Sequence, residues 1–205
     1  MAMVAVTISG CGGSNGGQTS DAIEDTGDRT TSSASPTTKA PAAPPAPRFT
    51  LPPDVTVEVE SPDTGDAGKA AVLHDVEYSV KARIEAVAKG EGSTPHLSRY
   101  FTGSAFRYWN DKIEEKRENG ETVAGTYRFF GLEVTELKGD VAAARFCEDQ
   151  SAVYEKTRNT GEVRRDKPLE TEVVQITLGA EKSDEGVWQV NRFSWNKGVP
   201  ACERD

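Results

Sequence analysis

This chain of 205 residues has only two histidines, His74 and His96, and three cysteines. No Cys-x-x-Cys or His-x-x-x-His spacing occurs, so no metal centre is read from it. It has no Gly-x-Ser-x-Gly turn for a nucleophilic serine, and its one glycine-rich run, residues 12–17, is no phosphate loop. No apolar run approaches the 18 or so residues that would span a bilayer as a helix. Positive charge is also short: 24 Lys and Arg stand against 33 Asp and Glu, for a net charge of −9. Residues 12–53 carry Asp21, Glu24, Asp25 and Asp28 against Arg29, Lys39 and Arg48, which leaves about −8 on residues 54–205. Phosphate contact rests on Lys and Arg, so nucleic acid is not an expected partner. Arg164-Arg165, an adjacent basic pair, reads as a solvated hairpin. No cofactor motif is present.

Before Cys11 lies a short apolar stretch, residues 1–8, and then Ile8-Ser9-Gly10-Cys11. Gly12-Gly13-Ser14-Asn15-Gly16-Gly17 follows and has no capacity to pack. The small-small-Cys pattern resembles a bacterial lipobox. That resemblance implies that Cys11 becomes the mature N-terminus, carries a lipid, and anchors an exported protein on the outer face of the plasma membrane. The other reading is a free cysteine in a disordered tail. A secretory signal has a basic n-region, and no Lys or Arg precedes Cys11. The expected translation start therefore lies upstream.

Residues 12–53 hold seven of the eleven prolines and almost no large apolar groups. They read as a disordered tether, with Pro41-Ala42-Ala43-Pro44-Pro45-Ala46-Pro47 locally extended as polyproline II. With Cys11 assigned to the lipid, Cys147 and Cys202 remain as an even pair. In an exported chain such a pair is expected to oxidise; the alternative is two reduced buried thiols.

The domain is expected over residues 54–205. Val55, Val57 and Val59 alternate with polar residues, which suggests a short edge strand or an extended lead-in. Residues 66–89 read as a helix, with Leu73, Val76, Val80, Ile84 and Val87 on one stripe, Asp66 as N-cap and Gly90 past the end. His74 lies beside the stripe and is expected to be partly buried. A short helix starts at Thr94-Pro95, and a third runs from about 104 to 119 with Phe106, Trp109 and Ile113 on its stripe. From Glu121 the period becomes that of strands, over 122–130, 132–138, 141–149, 152–156 with 162–164, 169–178 and 187–195. Trp188 and Val190 share one face while Phe193 and Trp195 fall on the other, and a bulge near Asn191 would reconcile them.

Three helices followed by about six strands is a segregated α+β order. The expected architecture is three N-terminal helices packed in the concavity of a curved, mostly antiparallel sheet. On this order, on Gly186-Val187-Trp188-Gln189-Val190 and on Phe146-Cys147-Glu148-Asp149, residues 66–196 resemble the cone-shaped, cystatin-like roll of nuclear transport factor 2, ketosteroid isomerase and polyketide cyclases. They also look like tethered actinobacterial lipoproteins that carry such a domain. The resemblance implies a cavity between helices and sheet, and dimerisation through the outer sheet face as an option. Where such a cavity is catalytic, one buried carboxylate does acid–base work. Asp149 is the candidate, with Glu148 facing away, and Tyr108, Tyr127, Phe146 and Trp195 as cavity lining. The bland reading is that residues 148–151 form a polar turn and that the aromatic residues are core. Two functions follow. One is a lipid-anchored, non-catalytic domain that binds a small apolar ligand or another envelope protein. The other is a small cavity enzyme of isomerase, cyclase or dehydratase type.

Overall fold

A computed structural model describes residues 46–171 and 173–203. The expectations for Cys11 and most of the tether fall outside these residues. The described chain runs β1 (Val55–Val59), α1 (Ala67–Lys89), α2 (Pro95–Tyr100), α3 (Gly103–Glu118), β2 (Glu121–Lys138), β3 (Val141–Thr157), β4 (Val163–Pro168), β5 (Val174–Lys182) and β6 (Trp188–Lys197), and ends in a 3-10 turn, Pro200–Cys202.

The helix termini follow the local chemistry. Asp66 caps α1 by accepting from the Lys69 amide, and Gly90 ends it in the left-handed conformation at φ 70°. Thr94 caps α2 by accepting from the Leu97 amide, with Pro95 at the first position. The sheet order is β1-β2-β3-β5-β6, with β4 paired to β3 off that path. All pairings are antiparallel except that of β1, which runs parallel to β2. Three helices thus pack on a curved, mostly antiparallel six-stranded sheet.

Several boundaries differ from those expected. Residues 122–130 and 132–138 are one strand, because Gly131 at φ 62° does not end the strand but forms a bulge between Phe130 and Glu133. Residues 141–149 and 152–156 are likewise one strand, β3. Bulges in the β2–β3 pair at three places let two long strands bend over the helices. β5 begins at Val174 rather than at Leu169. In β6, Val190 pairs with Ala180 and Arg192 with Gly179, which leaves Asn191 as the extra residue. The bulge returns Phe193 and Trp195 to the face of their partners Leu178 and Ile176.

The core lies between α1, α2 and the concave sheet face, around Val76, Val80, Leu97, Tyr100, Phe129 and Phe146. A smaller apolar cluster of Phe130, Cys147 and Cys202 lies apart from it, because Phe130 and Cys147 alternate with the core residues Phe129 and Phe146. The tail after β6 reaches this cluster, and Cys147 and Cys202 form a disulfide with Cα atoms 5.6 Å apart.

The domain begins earlier than residue 54. Phe49 packs on Tyr78 and His96 at centroid distances of 5.7 and 4.8 Å, and Leu51 packs on the core. The Thr50 amide donates to Glu85 at 2.8 Å. This strap and α2 explain why residues 82–86 of α1 are all buried although the sequence gives the helix one apolar stripe.

Candidate functional site

Inside the cone, α1 and β3 face each other through two charges. Arg83 Nη2 lies 2.8 Å from Glu148 Oε1, with the two side chains 6% and 1% exposed. Gln150 Nε2 donates to the same oxygen at 2.7 Å. The Arg83 guanidinium stacks over Trp109, 4.6 Å from the ring centroid, and near Phe129 at 5.5 Å. Neither Arg83 Nε nor Nη2 has a hydrogen-bond partner among the described residues, so Arg83 and Glu148 meet as an ion pair without an aligned hydrogen bond.

The carboxylate that β3 buries is therefore Glu148, and the expected placement of Asp149 is corrected. Alternation from Phe146 puts Glu148, not Asp149, on the core face. Asp149 is half-buried, accepts from the Ser151 amide at 2.8 Å, and lines a hollow with Phe130, Val173 and Cys202 instead. The spacing of two between Phe146 and Glu148 was the available signal. Arg83 carried none, since a lone arginine in a helix reads as solvated.

Tyr127 and Phe146 are buried in the core. Burial pushes the Tyr127 hydroxyl well above the ordinary tyrosine range, with the Arg83 charge opposing the shift. Tyr108 and Trp195 are 40% and 52% exposed. His74 is exposed rather than partly buried, with Nδ1 3.2 Å from Asp75 Oδ1. His96 Nδ1 lies 2.6 Å from Glu85 Oε2, and Lys89 Nζ donates to Glu85 Oε1 at 2.9 Å. Burial raises the Glu85 pKa, but donors from Thr50, His96 and Lys89 outweigh it and hold the carboxyl below its ordinary value.

Within the cone, Ser79, Arg83, Phe101, Phe146 and Leu178 bound a space of about 20 Å³. That is room for about one water molecule. At the mouth the picture changes. An open groove of about 240 Å³ has Tyr108, Trp109, Phe193 and Trp195 as aromatic walls and Arg83, Glu148 and Gln150 at its base. A second hollow of about 260 Å³ lies across Tyr108 and Trp109, lined by Val87, Ile113 and the polar side of α3. Trp109 and Phe193 stack at 5.4 Å and 11°, and Tyr108 meets each edge-on at 5.1 Å. The sequence placed Tyr108 and Trp195 in an interior cavity. They lie at the mouth because Trp195 is near the end of β6, past the helices' cover.

No family model matches the chain, and no curated protein matches it. Among solved structures it is similar to a ketosteroid isomerase-like protein from Erwinia carotovora atroseptica, at 18% identity and a TM-score of 0.43 over 66% of this chain and 99% of that one. It is similar to the intermembrane space region of chloroplast protein ARC6, at 14% identity and a TM-score of 0.42 over 60% of this chain and 92% of that one. It is also similar to an NTF2-like protein with a cystatin-like fold from Novosphingobium aromaticivorans, at 18% identity and a TM-score of 0.38 over 63% and 87%. The solved structures that this chain is similar to thus include ketosteroid isomerase-like proteins and an NTF2-like protein with a cystatin-like fold, and the likeness says nothing of activity.

Proposed function

We propose that this chain is a lipid-anchored envelope protein whose tethered domain binds a partner through the aromatic groove at its mouth and does no chemistry inside its cone. The observation that carries the binding reading is the contrast between a filled interior of about 20 Å³ and an open groove of about 240 Å³ walled by half-exposed aromatics. A cavity enzyme needs space for substrate and a carboxylate free to exchange a proton. Here the buried carboxylate, Glu148, is held by Arg83 and Gln150. The anchor rests on Ile8-Ser9-Gly10-Cys11 and the glycine-rich residues after it. Export agrees with the Cys147–Cys202 disulfide.

The two halves of the proposal have separate tests. Intact mass of the native protein should give a lipidated N-terminus at Cys11, and Cys11→Ser should leave the membrane fraction; a different mature N-terminus overturns the anchor. For the groove, a photo-crosslinking amino acid at position 195 should capture a partner in intact cells, while the same group at Arg128, on the outer sheet face beside Glu58, should not. Equal capture at both positions, or none at 195, overturns the groove as the binding face.

A further inference from the structure

Every charge lining the two hollows at the mouth is paired. Arg83 faces Glu148 at 2.8 Å and Lys197 pairs with Glu170 in the first. In the second, Lys112 pairs with Glu115 at 2.7 Å and Lys116 with Glu121 at 3.6 Å. On a chain of net charge −9, this surface is locally balanced, which favours a neutral occupant. What it offers is aromatic area. Tyr108 and Trp109 border both hollows, so two adjoining depressions flank one aromatic ridge, and Trp195 walls the outer side of the first. No hydrogen-bond partner of Tyr108 Oη or Trp195 Nε1 occurs among the described residues, so both can donate to an occupant.

A neutral occupant with apolar rings at a fixed interval and carbonyl oxygens free of internal hydrogen bonds meets these conditions. Polyproline II has three residues per turn, a rise of about 9 Å per turn, and no internal hydrogen bonds. Aromatic-lined grooves take such segments at low entropic cost because the helix is preformed. This chain carries a segment with the matching sequence: residues 41–47 are uncharged and place Pro41, Pro44 and Pro47 at steps of three, the spacing of one edge of a polyproline II helix. We infer that the groove takes residues 41–47 of a second copy of this chain, with successive prolines of that edge in the two depressions. The inference rests on the groove being the binding face and names its occupant. On a membrane, tethers and domains of neighbouring molecules would then link laterally.

The test uses the full chain made soluble by Cys11→Ser. Sedimentation should show self-association that strengthens with concentration. It should be lost in Pro41→Ala/Pro44→Ala/Pro47→Ala and in Trp195→Ala. A capped synthetic peptide of residues 40–47 should compete it away and change tryptophan fluorescence with a Kd tighter than about 1 mM. Trp195→Ala should weaken that Kd about tenfold or more. A peptide of the same composition with its prolines moved off the step of three should bind far more weakly. A monomer at every concentration with a silent peptide overturns the inference, and so does association that survives the triple proline variant, which would mark an interface elsewhere. Equal binding of the rearranged peptide, or binding of a neutral aromatic probe such as 2-acetonaphthone while the peptide stays silent, overturns it too. In each of those cases crosslinking at position 195 still decides separately whether the groove is a binding face.

Discussion

Breaking the Arg83–Glu148 pair from either side should cost far more than replacing it whole. Both side chains are more than nine-tenths buried and 2.8 Å apart. Removing one partner of a buried pair costs about 3–5 kcal/mol, because the other charge stays in low dielectric. Glu148→Leu strands the guanidinium against Trp109 and Phe129. Arg83→Met strands the carboxylate with the Gln150 amide as its donor. The double variant fills the same volume with apolar groups, and such replacements are neutral or stabilising by about 1–4 kcal/mol in other proteins. It should stand within about 1 kcal/mol of the parent, since it loses the stacking of Arg83 on Trp109 while shedding the desolvation of two ions. For a domain of this size each single variant should lower Tm by roughly 6–20 °C.

Urea unfolding followed by far-ultraviolet circular dichroism measures the cycle without relying on Trp109, which sits against the altered residue. A coupling energy below about 1 kcal/mol, or a double variant as unstable as the worse single one, would refute the reading of this pair as a self-contained unit inside a filled cone.

Three further outcomes follow from the same contacts. A chain beginning at residue 54 loses the Phe49 packing and the Thr50 donor to Glu85; against a chain beginning at residue 46 it should lose about 2–4 kcal/mol, and equal melting temperatures would show that the strap contributes nothing. Reducing the disulfide, which closes a separation of 55 residues, should cost about 4 kcal/mol on the chain-entropy model; Cys147→Ser should match the double serine variant, and two thiols titrating in the unfolded native protein would remove the cross-link from the account. The folded pKa of Glu85 is lowered, so its contribution is present above the unfolded carboxylate value of about 4.3 and is lost as pH falls through the folded one; Glu85→Gln should lose stability at pH 7 and show a flatter decline between about pH 5 and pH 3, and an unchanged acid limb in urea titrations would contradict this.

The sequence displayed those features whose cause is local. Apolar recurrence at three and four, Asp66 and Gly90 at its ends, and Thr94-Pro95 fix α1 and α2 through hydrogen bonds made within a few residues. The Asn191 bulge was visible because Trp188 and Trp195 cannot share a face without it. What escaped was set by distant partners. Phe49 lies in proline-rich sequence and looks like tether, yet Tyr78 and His96, about 30 and 50 residues on, give it a place to pack. Gly131 looks like a turn between strands; the partner strand, held on both sides of it, makes it a bulge. Arg83 and Glu148 are each ordinary polar residues in sequence, and only the approach of α1 to β3 makes them a pair. The same holds for the groove. Tyr108 and Trp195 were identified as pocket residues by type, but which side of the cone they serve depends on where α3 stops covering β6, and no spacing along the chain records that.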